Sequence, residues 1–120
     1  MILLEGLHHI SLGTADLERS VEFYQNVLGF DLLEREELYA VLNLDPIAVR
    51  FNLVQNYKAA VTNPGEFSFA YVLDVDDFTN ALEELESRGV EIKGPLAIEG
   101  GESMVIKDPD GHLIELFYNE

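Results

Sequence analysis

The chain carries the same structural sequence twice, and a duplication restricts the folds open to it more than any single motif does. The first copy opens on Leu7-His8-His9-Ile10-Ser11-Leu12, runs through Asp16-Leu17-Glu18-Arg19-Ser20-Val21-Glu22-Phe23-Tyr24 and reaches Leu28-Gly29-Phe30. The second opens on Phe67-Ser68-Phe69-Ala70-Tyr71-Val72, passes Asp76-Asp77 and a helical run, and reaches Arg88-Gly89-Val90. It closes on Asp108-Pro109-Asp110-Gly111-His112-Leu113-Ile114-Glu115-Leu116. Duplicated units that pack together form a cleft between them, so a site is expected there.

Each copy reads as strand, helix, then three strands. Leu7 to Leu12 has the apolar, β-branched content of a strand. Asp16 is placed to cap a helix whose apolar positions Leu17, Val21, Tyr24 and Leu28 recur at helical spacing, and Gly29 supplies the left-handed turn that ends it. Three further strands are expected at residues 30–33, 39–42 and 49–54. In the second copy a strand from Phe67 to Leu73 leads to a helix with Phe78, Ala81, Leu82 and Leu85 on one face. Gly89 ends that helix, and strands follow near Val90–Lys93, Ser103–Lys107 and His112–Tyr118. Asp108-Pro109-Asp110-Gly111 has the chemistry of a tight turn, since proline presets one dihedral and glycine accepts a positive φ. The organisation is one domain of two modules, about 1–58 and 66–120, joined by a segment containing the turn signal Asn63-Pro64-Gly65.

Composition excludes several classes. There is no cysteine, hence no disulfide framework, thiolate metal site or cysteine nucleophile. A net charge of −16 repels phosphate backbones and argues against nucleic acid as a partner. No apolar run approaches the roughly 20 residues that a membrane-spanning helix needs, so no membrane partner and a cytoplasmic location are expected.

The doubled βαβββ pattern resembles the vicinal oxygen chelate superfamily, which includes glyoxalase, bleomycin-resistance and dioxygenase proteins. The resemblance rests on His9 seven residues before Asp16, on Ser20-Val21-Glu22-Phe23-Tyr24 with Leu28-Gly29-Phe30, and on Asp108-Pro109-Asp110-Gly111 with Ile114-Glu115-Leu116. It implies an α+β fold in which two βαβββ modules form open mixed-sheet barrels around a cleft. It also implies a homodimer, and metal ligands, where present, from the first and last strand of each module. Carried over by position, these strands offer His9, Asn52, Ala70 and Glu115. Only two of the four are strong ligands.

Strand alternation identifies the companions of these residues. Ser11 shares a face with His9, Arg50 with Asn52, and Phe117 and Leu113 with Glu115. Ile10, Leu12, Phe51, Ile114 and Leu116 take the opposite, core-facing side. His9 and Glu115 are open to two readings: ligands for Ni, Mn, Fe or Zn that could also move protons in catalysis, or a hydrogen-bonded pair. Arg50 reads either as a two-pronged grip on a carboxylate or phosphate or as an ion pair with an acid of the chain. Asn52, Ser11 and Phe117 complete the expected ligand-binding set. His8 and His112 are expected to be solvated, and Phe23-Tyr24 to pack the first helix on its sheet. The incomplete ligand set favours binding of a small organic molecule over a metal-dependent lyase, isomerase or dioxygenase reaction.

Overall fold

The structure is a computed structural model that describes residues 1–119. The chain forms two compact units, Met1–Lys58 and the remainder from Ala59 on. Among the described residues no helix is long and apolar enough to cross a membrane.

The first unit contains β1 (His9–Thr14), α1 (Leu17–Glu22), β2 (Asp31–Arg35), β3 (Tyr39–Leu44) and β4 (Ile47–Leu53). The sheet order is β1-β4-β3-β2, with β1 parallel to β4 and the other pairs antiparallel. Asp16 caps α1 by accepting the Arg19 N–H at 3.1 Å, as its sequence position predicts. The helix then loosens into a π-helical turn, Phe23–Val27, before Gly29 at φ 77° releases the chain. The turn holds Phe23 and Tyr24, both buried, against the sheet. Tyr24 lies 4.6 Å from the Phe51 ring and 5.3 Å from that of Phe30, and Leu17, Ala40, Leu42 and Val49 fill in around them. Thr14 and Ser20 share a buried hydroxyl–hydroxyl bond of 2.7 Å that ties the end of β1 to α1.

The second unit repeats this order with β5 (Phe69–Val72), α2 (Phe78–Ser87), β6 (Ile92–Ile98), β7 (Gly101–Lys107) and β8 (Leu113–Asn119). Its sheet order is β5-β8-β7-β6, again with one parallel pair, β5 with β8. Phe78 and Leu85 of α2 are buried, as are Met104, Ile106, Ile114 and Leu116 of the sheet. Gly89, at φ 74°, ends α2 as Gly29 ends the first helical segment. Both units are therefore open four-stranded mixed sheets, each carrying a helix.

Several expectations need correction. Leu7 and His8 precede β1 and are exposed, because the strand starts only where β4 offers Ala48 as the first partner, opposite His9. The strand expected near Val90–Lys93 lies further on and is longer: Ile92–Ile98 runs past Pro95 by shifting its register between Lys93 and Leu96. Proline cannot donate to a ladder, and a register shift on an edge strand is where one is tolerated. His112 is not solvated but 7% exposed, folded in with Asp108 and Asp110 at the start of β8.

Candidate functional site

In the first unit, alternation along the strands separates a packed face from an open one. Leu12, Thr14, Ala40, Leu42, Val49 and Phe51 are buried on the packed side. On the open side the register sets Ser11, Arg50 and Val41 side by side on one rung and Gly13, Asn52 and Tyr39 on the next. His9 and Ser11 are exposed, and Arg50, Asn52 and Tyr39 are half-buried.

Arg50 is held at two points on this face. Its Nε donates to Asn52 Oδ1 at 3.0 Å, and its guanidinium carbon lies 3.8 Å above the Tyr39 ring centre. The Tyr39 hydroxyl donates to Glu34 Oε1 at 2.6 Å, and this bond raises the phenol above its ordinary pKa despite the opposing pull of Arg50. Tyr57 lies close against Gly13, where an added Cβ would run into its ring, so glycine is required by close approach at this position. His9 stands at the start of β1, its Nδ1 2.9 Å from His8 Nδ1 and the two rings edge to face.

In the second unit Glu115 projects from β8 on the side opposite Ile114 and Leu116 and is half-buried. Its neighbours in register are Ala70 on β5 and Val105 on β7. Ser103, itself buried, donates its hydroxyl to Glu115 Oε2 at 2.6 Å. Phe117 lies beside Ser103 and Val72 on the same face. Burial holds the Tyr71 phenol, on the opposite side of β5, above its ordinary value.

Sequence reasoning misses three parts of this arrangement. Ser103 reads only as the start of a strand, and its bond to Glu115 requires the β7–β8 register. Tyr57 reads as part of the linker. The third is the trio Asp108, Asp110 and His112, all buried, whose ligand atoms lie within 4.8 Å of one another. One oxygen of Asp108 accepts the backbone N–H groups of Asp110 and His112 at 2.9 and 2.8 Å, which closes the turn before β8. The alternate spacing of the three residues is the signal that could have found them.

A duplicated βαβββ chain with two open four-stranded mixed sheets, each with one parallel pair, defines the fold class. The model of the Glyoxalase/Bleomycin resistance protein/Dioxygenase superfamily matches residues 6–116, and the chain belongs to that family. A metallothiol transferase FosB from Staphylococcus epidermidis is 30% identical over 94% of this chain and 81% of its own length. A glutathione transferase FosA from Serratia marcescens is 30% identical over 95% and 81%. Among solved structures, a glyoxalase/dioxygenase from Nostoc punctiforme superposes with a TM-score of 0.82 at 22% identity, covering 100% of this chain and 97% of that one. The fosfomycin resistance protein FosX from Mesorhizobium loti gives 0.80 at 24%, covering 98% and 95%. A FosX variant from Listeria monocytogenes, in complex with Mn(II) and a dihydroxypropylphosphonic acid, gives 0.82 at 20%, covering 98% and 95%.

A metal of the kind that complex contains does not fit the four positions expected to supply ligands here. His9 and Glu115 carry suitable atoms. Asn52, however, offers a single amide oxygen, and Arg50 already occupies it. Ala70, in register beside Glu115, presents a methyl group. Catalytic metal sites ordinarily take about three protein ligands, and this set falls short.

Proposed function

We propose that this chain binds a small organic molecule on the open faces of its sheets without relying on a complete metal site. The observation that carries the reading is the pairing of Ala70 with Glu115, which leaves a methyl group at one of the four positions that the family resemblance assigns to ligands. Ser11, Arg50 and Asn52 are the ligand-binding groups of the first unit, and Phe117 supplies an apolar contact in the second. Glu115, with the Ser103 hydroxyl on one oxygen, serves as a hydrogen-bond acceptor. Superfamily membership and the similarity to a glutathione transferase support small organic molecules as the ligand class.

The test is a thermal-shift screen of small organic acids, amines and antibiotics, run in EDTA and again with added Mn²⁺, Zn²⁺ or Ni²⁺. A ligand that binds native protein alone raises its melting temperature by mass action. The expected result is a shift that persists in EDTA. Stabilisation or turnover that vanishes in EDTA and returns with one ion would contradict the reading.

We further propose that the protein is a homodimer. The exposed apolar side chains of Ile2, Leu3, Leu4 and Leu7, each at least 60% accessible, favour a covered surface. Sedimentation equilibrium should give a mass of two chains, and Leu3→Ser with Leu4→Ser should lower it toward one.

A further inference from the structure

The chain has 23 acidic residues against 7 basic ones. Lys107 and Arg88 form ion pairs at the exposed surface, with Glu91 and Glu84. Arg50 does not. It is the basic residue drawn in from solvent, half-buried where the others are exposed. Among the described residues its contacts are the Asn52 amide and the Tyr39 ring, and it forms no ion pair. Glu34, the carboxylate bonded to Tyr39, lies at the hydroxyl end of that ring and not on the guanidinium.

These two contacts leave a particular part of the group free. Asn52 takes Nε, and Tyr39 covers one flat side. The two terminal nitrogens remain, and they form the end-on fork that matches two oxygens of one anion. The geometry is fixed in advance by the stack and the amide bond, so a ligand does not have to order a flexible side chain. Ser11, next to Arg50 on its rung, offers an exposed hydroxyl as another donor, and Val41 on the other side is apolar.

We propose that the open face of β1, β4 and β3 is an oxyanion site in which Arg50 grips the carboxylate or phosphonate of a small organic acid. This rests on the reading that these faces bind small molecules, and it names the ligand class of the first unit. Asn52 is a positioning residue that aims the guanidinium. Tyr39 acts the same way from the other side. Most of the net charge of −16 does not bear on an anion here, because exposed charges more than about 8 Å away are largely screened at physiological ionic strength, and the nearby Glu34 carboxylate is engaged by the Tyr39 hydroxyl.

The experiment compares benzoate with benzamide, which has the same shape and no charge, and with phenylphosphonate. Each is titrated into the full chain in EDTA and followed by calorimetry and by the ¹⁵N resonance of the Arg50 Nε. Benzoate should bind saturably and about 10- to 100-fold more tightly than benzamide, the range expected of charge-assisted hydrogen bonds. The Arg50 Nε signal should move with it. Arg50→Gln should erase the benzoate preference, and Arg50→Lys, which keeps the charge without the fork, should retain only part. Asn52→Ala should reduce the benzoate-over-benzamide ratio and shift the Arg50 Nε resonance already in the ligand-free protein, a spectroscopic change that a merely structural role would not give. Phenylphosphonate binding more tightly than benzoate would assign the site to phosphonates, and the reverse order to carboxylates. Equal binding of benzoate and benzamide, no saturable binding of either acid, or an unchanged preference in a folded Arg50→Gln protein would each overturn the proposal. Binding that appears only after Mn²⁺ is added would instead contradict the metal-free reading on which it rests.

Discussion

Phe51→Ala should destabilise the first unit by about 3–5 kcal/mol, the cost usual for deleting a buried phenylalanine ring. Phe51 is fully buried at 0% exposure, on an inner strand, with Leu12 and Ala40 opposite it in register and the tilted Tyr24 ring 4.6 Å away between centres. The neighbours are fixed by two strand ladders and cannot easily close the space, so most of the void should persist. A typical domain is stable by only about 5–15 kcal/mol, so the loss should be plain in urea unfolding as a lower midpoint with little change in slope. Phe51→Leu, which keeps most of the volume, should cost much less. A change below about 1 kcal/mol in Phe51→Ala would show that the ring does not sit in a packed core.

Asp108→Ala should be comparably damaging to the second unit, by about 2–4 kcal/mol, although it removes few atoms. The side chain is 4% exposed, and one oxygen satisfies the N–H groups of both Asp110 and His112. Alanine would leave two buried donors without that acceptor, and each orphaned group costs about 1–3 kcal/mol. Asp108→Asn separates hydrogen bonding from charge. Its amide oxygen can accept the same two bonds, so it should recover a substantial share of the loss. Equal destabilisation by both variants would place the effect in the carboxylate charge beside His112. Differential scanning calorimetry of the two proteins decides the matter.

The contrast between these residues shows what sequence makes legible. Phe51 is readable from alternation alone, since Val49 and Phe51 take one side of β4 while Arg50 and Asn52 take the other. The capping role of Asp16 and the turns at Gly29 and Gly89 are also readable, because they depend on local backbone chemistry. The burial of His112 is not. Histidine after a glycine turn ordinarily faces solvent, and only the closure of that turn by Asp108 folds it in. The Ser103–Glu115 bond is hidden for a related reason: twelve residues separate the two, and only the β7–β8 register brings them together. Alternation places Arg50 on the right face but does not supply its partners. Tyr39 reaches it from the next rung of β3.

The family resemblance is carried by order and spacing along the whole chain, and the match over residues 6–116 establishes membership. Reaction chemistry does not follow from membership, because a fold hosts many functions and the site residues decide among them. The positions that the resemblance assigns to ligands hold His9 and Glu115, an amide already taken by Arg50, and a methyl group.

The most direct test is calorimetric titration of metal-stripped protein with Mn²⁺, Zn²⁺, Ni²⁺ and Fe²⁺, the last under anaerobic conditions, alongside His9→Ala and Glu115→Ala. A metal-independent binding site predicts no stoichiometric micromolar uptake that depends on His9 and Glu115. One ion bound per chain at micromolar affinity, and lost in both variants, would contradict that reading and make this protein a metal-dependent member of its family.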